Sequence, residues 1–158
     1  MARGTTVIKV AMTLIWLCLV AATAWAADEP VIASIKTVQG NCVVQRGSQT
    51  LPATEGMHLQ LGDMLKTVPG GGLALIMRDG TRVSLGPETD LTIDQFAYDP
   101  SHSKFALVMN LARGILAYIS GKIATFSPEA VRVQTPVASI GVRGTKFVVG
   151  LGISPGIP

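Results

Sequence analysis

The sequence has few of the side chains from which catalytic and metal sites are built. Of its 158 residues, two are cysteine and two are histidine. His58 and His102 are far apart, and no Cys-x-x-Cys pair is present, so the usual metal-ligand spacings are missing. The glycines after Pro69 precede neither a helical pattern nor a Lys-Ser/Thr pair, which argues against a P-loop. We therefore expect no catalysis, no metal and no cofactor.

The N-terminus has the layout of an export signal. Arg3 and Lys9 precede an uncharged run from Val10 to Ala24, and Ala24-Trp25-Ala26 fits a small-x-small cleavage site. We predict a signal peptide over residues 1–26 and export to the periplasm. The alternative is an uncleaved segment that anchors the chain to the membrane.

Removal of the signal would leave little charge and one thiol. Of 13 basic and 10 acidic residues, only Arg3 and Lys9 would be lost, so the net charge becomes 13 − 2 − 10 = +1. This balance, without a basic run, gives no sign of a nucleic-acid partner. Cys42 would remain without a second cysteine, so it cannot form an internal disulfide, and we interpret it as a small apolar residue of a sheet.

The remaining residues read as one all-β domain over 27–150, with a short tail at 151–158. Apolar–polar alternation recurs with turn signals about every 8–12 residues, which predicts roughly nine to eleven short strands. One strand is expected before Arg113-Gly114, with Phe105, Leu107, Met109 and Leu111 on one face, and another after it at 115–119. A polar loop is expected over 97–104, and a strand or loop at 123–126. We predict a jelly-roll-like sandwich of short antiparallel strands.

Near the C-terminus the alternation is especially clear. Val131 and Val133 alternate with polar residues in a half-buried strand, which Thr135-Pro136 interrupts because proline has no N–H for a ladder.

Four segments of this pattern resemble the FecR-type periplasmic domain, from about Ile35 to Val149. They read Gly56-x-x-Leu59-x-x-Gly62-Asp63-x-Leu65-x-Thr67, Leu75-x-Met77-x-Asp79-Gly80-Thr81, Gly114-Ile115-Leu116 and Val133-x-Thr135-Pro136-x-Ala138-x-x-x-Val142-Arg143-Gly144-Thr145-x-Phe147. The last segment is the most specific. The resemblance implies an all-β, jelly-roll-like domain outside the inner membrane. The best-known members are transmembrane anti-sigma regulators in iron–siderophore signalling.

The chain departs from those regulators at both ends. Only nine residues precede the apolar run, too few for a sigma-binding domain, so it looks more like the exported stand-alone versions. Such domains often continue with another hairpin where this sequence reads LGISPGIP, so we expect a truncated end and an exposed sheet edge.

Two functions follow as expectations. The first is a periplasmic binding module that recognises an envelope protein or a cell-wall component through loops or a sheet edge. The second is a component of an iron-responsive signalling pathway that acts with a separate membrane partner. The candidate structural or binding residues are those of the matched motifs: Gly62, Asp63, Asp79, Gly80, Thr135, Pro136, Arg143, Gly144 and Thr145.

Arg143 has two competing roles. It could point outward and bind an anionic group of a partner. Alternatively, its planar guanidinium could be partly buried and paired with a carboxylate, because an unpaired buried charge is very costly. The candidate carboxylates are Asp63 and Asp79.

Overall fold

The computed structural model describes residues 30–142 and 144–151, and this part of the chain is almost entirely β-structure. The strands are β1 (Ala33–Gln39), β2 (Val43–Arg46), β3 (Gln49–Pro52), β4 (His58–Leu59), β5 (Met64–Lys66), β6 (Gly72–Met77), β7 (Arg82–Leu85), β8 (Asp90–Asp99), β9 (Lys104–Ile119), β10 (Val131–Gln134), β11 (Ser139–Gly141) and β12 (Lys146–Leu151). One short helix, α1 (Lys122–Phe126), follows β9. The all-β prediction is confirmed. The predicted signal peptide lies outside the described residues.

The 12 strands form one continuous, curled sheet, and β9 belongs to both of its parts, here called sheet A and sheet B. Sheet A has the order β4-β1-β6-β7-β9-β12, and sheet B has the order β3-β2-β5-β8-β9-β10-β11. Neighbouring strands are antiparallel except β9 and β10, which run parallel. The arrangement is consistent with a β-sandwich, in which the inward faces of two sheets make one core.

The core follows from the period-two alternation of the strands. Strand β6 alternates half-buried and buried residues along its whole length, and β10 alternates buried and exposed ones. Of the four residues expected on one face of β9, Leu107, Met109 and Leu111 are fully buried, and Phe105 is half-buried and packs against the core. Val131 and Val133 are also fully buried, as the alternation around them predicts.

The break expected at Arg113-Gly114 is wrong, because β9 continues through it as a single long strand. The register with β8 jumps from Leu91 opposite Leu111 to Asp90 opposite Arg113, so one extra residue sits on β9 as a bulge. Gly114 has φ +91°, and a Cβ atom there would lie 2.2 Å from Thr89 Oγ1. Glycine therefore lets the strand bend from sheet B into sheet A.

Three other local expectations are corrected. The loop predicted at 97–104 is shorter, because β8 runs to Asp99 and a 3₁₀ turn over Pro100–His102 leads directly into β9. Residues 122–126 form helix α1 instead of the strand or loop expected at 123–126, because a helix of little more than one turn is too short to show a helical period. Strand β3 was not expected, because its sequence, Gln49–Pro52, has no core-facing alternation and its residues are mostly exposed.

Candidate functional site

Asp63, a residue of the matched motifs, has a structural partner. Its carboxylate is 1 % exposed and receives two parallel bonds from Arg46, with Nε to Oδ1 at 2.8 Å and Nη2 to Oδ2 at 2.7 Å. The backbone N–H of Gln60 also donates to Oδ2, and Gly62 supplies the left-handed conformation (φ +81°) of the turn between them. Hydrogen bonding to Asp63 raises the pKa of Arg46. The Gly62-Asp63 pair therefore locks β2 to the turn before β5.

Asp79 organises a second turn that belongs to the matched motifs, Asp79-Gly80-Thr81. Its buried carboxylate accepts bonds from the N–H of Thr81 (3.1 Å), the hydroxyl of Thr81 (2.7 Å) and the N–H of Ile123 (3.2 Å). The Asp79 carbonyl accepts from the N–H of Lys122. The turn between β6 and β7 thus holds the first residues of α1 in place, which explains why residues 122–126 are helical.

Thr135 and Pro136 form the tight turn between β10 and β11. The N–H and hydroxyl of Thr135 both donate to the Ala138 carbonyl, at 2.8 and 3.0 Å, and the Ala138 N–H donates back to the Thr135 hydroxyl. Proline at the second position suits such a turn because its φ is already fixed. Val137, next in the turn, is 84 % exposed.

The last of the four matched segments, residues 133–147, is called the closing motif here. Its C-terminal half connects β11 to β12, and Ser120, directly after β9, holds this connection. The Ser120 hydroxyl donates to the Gly144 carbonyl (2.8 Å), and the Ser120 N–H donates to the Thr145 carbonyl (2.9 Å). Gly144 has φ +117°, a conformation that other residues rarely adopt. Thr145 is exposed.

Arg143 lies outside the described residues, so its side chain is not placed. Both of its candidate partners already have other hydrogen-bond donors: Asp63 pairs with Arg46, and Asp79 is held by Thr81 and α1. The role of Arg143 stays a prediction.

A groove of about 350 Å³ lies between β11 and β12. We call it the edge groove, and its lining is wholly apolar or glycine: Ile140, Gly141, Val142, Phe147, Val148 and Val149. A second depression, of about 290 Å³, lies on the other side of Val142, where Ser120, Thr125 and Thr145 contribute hydroxyl groups. The closing motif therefore runs between an apolar depression and a partly polar one.

The edge groove lies beside two unpaired strand edges. In the described part of the chain, β11 pairs only with β10, and β12 pairs only with β9, so the two strands do not bond to each other. Unpaired edges carry free N–H and C=O groups and are sites for the addition of another strand.

The alternation of antiparallel hydrogen bonds shows which groups of β12 are free. The ladder begins with the bond from the Ser120 N–H to the Thr145 carbonyl, and β12 stays in register with β9 from there. Bonded and non-bonded pairs alternate along such a ladder. The N–H and C=O groups of Lys146, Val148 and Gly150 therefore point away from β9.

The same argument applies to β11. The bond from the Thr135 N–H to the Ala138 carbonyl closes its hairpin, so the main-chain groups of Ser139 and Gly141 point away from β10. The two edges together offer five residues with outward-facing main-chain groups.

Comparison with known proteins now gives the context. A family model described as "FecR protein" matches residues 63–154, which is more than half of the chain. The chain belongs to the FecR protein family. No curated protein and no solved structure matches it. Within residues 30–142 and 144–151, no helix has the length and hydropathy to cross a membrane.

FecR membership gives a general function. The family consists of regulatory, non-enzymatic proteins associated with the cell envelope. The matched region includes Asp63, the Asp79 turn and the whole segment that forms the edge groove.

The FecR domain contains one cluster that looks like a catalytic triad. His102 Nδ1 lies 2.7 Å from Asp99 Oδ2 and 3.2 Å from the Ser101 hydroxyl. The serine, however, donates to Asp99 itself, at 2.5 Å, and all three residues lie in an exposed hairpin turn. A nucleophile and an orienting carboxylate should meet opposite nitrogens of the imidazole, but here both meet Nδ1. The cluster is a turn cap, and its hydrogen bonds from Ser101 and His102 lower the pKa of Asp99.

A Gly-x-Ser-x-Gly spacing near the C-terminus also lacks a group that hydrolases need. Residues 152–156 read Gly-Ile-Ser-Pro-Gly, the spacing of a hydrolase nucleophile turn, and they lie outside the described residues. In such hydrolases the N–H of the residue after the serine stabilises the oxyanion. Here that residue is Pro155, which has no N–H. No group of three or more possible metal ligands occurs among the residues that the structure describes.

Sequence reasoning identified the closing motif but missed the lining of the edge groove. Phe147-Val148-Val149 looked like an ordinary β-branched strand end. The overlooked signal is Val148: in a strand with one buried face, the residue between Phe147 and Val149 should face water, and Val148 is 66 % exposed.

Proposed function

We propose that this chain is an exported, non-catalytic binding module of the periplasm, and that it binds an envelope protein at the edge groove. The observation that carries the proposal is the apolar groove between the two unpaired edges of β11 and β12. Export and cleavage after Ala26 are part of the proposal, supported by the layout of residues 1–26.

The exposed apolar surface around the groove supports a binding role. Val148 and Val137 are among the most exposed large apolar residues of the described chain. Single exposed apolar side chains are common, but Val148 lies on β12, one of the two strands that form the groove, and Val137 lies in the turn that leads into the other strand, β11. Burying them against a partner would be favourable by about 25 cal/mol per Å² of apolar surface.

The groove favours a protein over a cell-wall component. Its lining side chains, among them Ile140, Phe147 and Val149, have no polar atoms. A glycan needs hydrogen bonds from side chains that reach its ring hydroxyls, whereas the polar groups at this groove are main-chain groups along strand edges, which an extended peptide matches. An apolar side chain from a protein would need no such hydrogen bonds.

A second candidate function is a role in an iron-responsive signalling pathway. Its support is membership of a regulatory family, and it would require a separate membrane partner. Binding at the edge groove is compatible with this role, since a regulator must also recognise its partner.

The experiment has two parts. Cells producing the chain are fractionated, and the N-terminus of the purified protein is determined by mass spectrometry; we expect a start at Ala27 in the periplasm. Envelope extracts are then passed over the immobilised protein and over the variants Val148→Asp and Leu61→Asp. Leu61 is a matched control because it is an exposed apolar residue in the turn between β4 and β5.

We expect Val148→Asp to lose a partner that both the unchanged protein and Leu61→Asp retain. An intact N-terminus in the inner membrane would refute export. Equal retention by Val148→Asp would refute the edge groove as the binding surface.

A further inference from the structure

We infer that the bound partner inserts an extended, acidic segment that adds to the free edge of β12 as a further strand. This inference rests on the proposed function and specifies the partner of the same surface. The apolar side chains of that segment would fill the edge groove, and its carboxylates would lie beside Lys146.

The main-chain geometry of β12 carries the first step. Among the described residues, the N–H and C=O groups of β12 that have no partner strand belong to alternate residues, Lys146, Val148 and Gly150, as the register with β9 requires. Only an extended strand presents its own main-chain groups at that spacing. Addition of a strand to an open edge is a common mode of peptide recognition, in which the main chain supplies affinity.

Side-chain alternation along an added strand carries the second step. Every other side chain of such a strand would point toward the core side, where Phe147 and Val149 line the groove. The groove volume of about 350 Å³ is large enough for a few aliphatic side chains. The remaining side chains would lie on the outer face, next to Lys146 and Val148.

The third step uses the charges near the groove to infer which kind of segment binds there. Strands β10, β11 and β12 contain two charged residues, Arg132 and Lys146, both basic and both exposed. Arg132 lies opposite Gly141, which lines the groove. The nearest preceding acidic residue, Glu129, is engaged by the hydroxyl of Ser127.

Complementarity therefore favours carboxylates on the incoming strand. Lys146 is the one charged residue of β12, so we assign the site to an acidic partner, and pairing with a second copy of the edge is an outcome that the test separates from it.

The test uses a short synthetic peptide that alternates valine with glutamate and is capped at both ends. Binding to the purified protein is measured by fluorescence anisotropy at low and high salt. One control peptide has lysine in place of glutamate, and another carries N-methyl groups that remove alternate N–H donors. We expect the acidic peptide to bind more tightly than either control, with an affinity that falls as salt rises.

Two protein variants link binding to the edge. Val148→Pro removes one outward N–H, which the ladder with β9 does not use, and proline is tolerated in edge strands. We expect it to weaken binding about tenfold, whereas Val148→Thr, which keeps the N–H and the β-branch, should bind almost normally. Lys146→Glu should weaken the acidic peptide about fivefold and favour the lysine peptide. Circular dichroism checks that each variant is folded.

Each outcome bears on the inference. The strand-addition inference would be overturned if the acidic peptide bound no more tightly than the lysine peptide or the N-methyl peptide. Self-association of the protein through the β12 edge, in place of peptide binding, would also overturn it. If the peptide fails to bind while Val148→Asp still loses its envelope partner, the strand-addition inference fails and the proposed function stands. If the peptide binds and no envelope partner depends on Val148, the proposed function fails.

Discussion

Truncation of Arg46 should cost much more stability than truncation of a comparable surface arginine. Arg46 and Asp63 form a bidentate pair whose carboxylate is 1 % exposed, while the guanidinium side chain is 31 % exposed. Breaking a fully buried pair costs about 3–5 kcal/mol, because a charge is left without compensation. Water can partly replace Arg46 from its open side, and the Gln60 N–H still bonds to Asp63. We therefore expect Arg46→Ala to cost about 2–4 kcal/mol.

The assay is urea unfolding of the unchanged protein, Arg46→Ala, Asp63→Asn and the double variant, analysed as a double-mutant cycle. Arg113→Ala is the control, because Arg113 makes one 3.0 Å contact with Asp90 and its side chain is 59 % exposed. The control should cost about 0–1 kcal/mol. A loss in Arg46→Ala no larger than in Arg113→Ala, with no coupling to Asp63, would refute the reasoning.

The same cycle tests the interpretation of Arg143. Coupling of Arg143→Ala to Asp63→Asn or Asp79→Asn would support a paired, partly buried guanidinium. Independence from both aspartates would favour the outward role, in which Arg143 binds a partner.

Two further predictions concern the β9–α1 region. Burial raises the pKa of Tyr118, so the unfolded chain loses this proton first, and stability should fall as pH rises above about 10. Tyr118→Phe removes the buried hydroxyl and should therefore lose less stability in alkali than the unchanged protein. An unchanged alkaline loss in urea titrations would contradict this. Gly121→Ala should lower the melting temperature strongly, because the added Cβ would lie 2.3 Å from the backbone nitrogen of Thr81. Gly141→Ala is the control and should change the melting temperature little, because no atom lies within 4 Å of its Cβ position. Similar melting curves for the two variants would refute the close approach at Gly121.

Local patterns predicted the parts of the fold that depend on neighbours in sequence. The alternation around Val131 and Val133 predicted a half-buried strand, and Leu107, Met109 and Leu111 were placed on one face because a strand has period two. The motif from Thr135 to Thr145 indicated the FecR family. These features need no knowledge of how distant strands pair.

Features that depend on pairing between distant strands could not be predicted. Arg46 binds Asp63 because β2 lies beside β5, and the sequence alone does not indicate which of several arginines will meet a given aspartate. Helix α1 forms because Asp79, more than forty residues earlier, bonds to its first turn. The edge groove exists only because the bend of β9 at Gly114 divides its neighbours between two sheets, so that β11 and β12 end as separate edges.

Site-specific photo-crosslinking in cells is the most direct test of whether the edge groove binds an envelope protein. A photoreactive amino acid replaces Val148 in one sample and Leu61 in another, and living cells that export the protein are irradiated. We expect a discrete adduct with an envelope protein from position 148 and none from position 61. An adduct from position 61 without one from position 148, or no adduct from either, would contradict the assignment of partner binding to the edge groove.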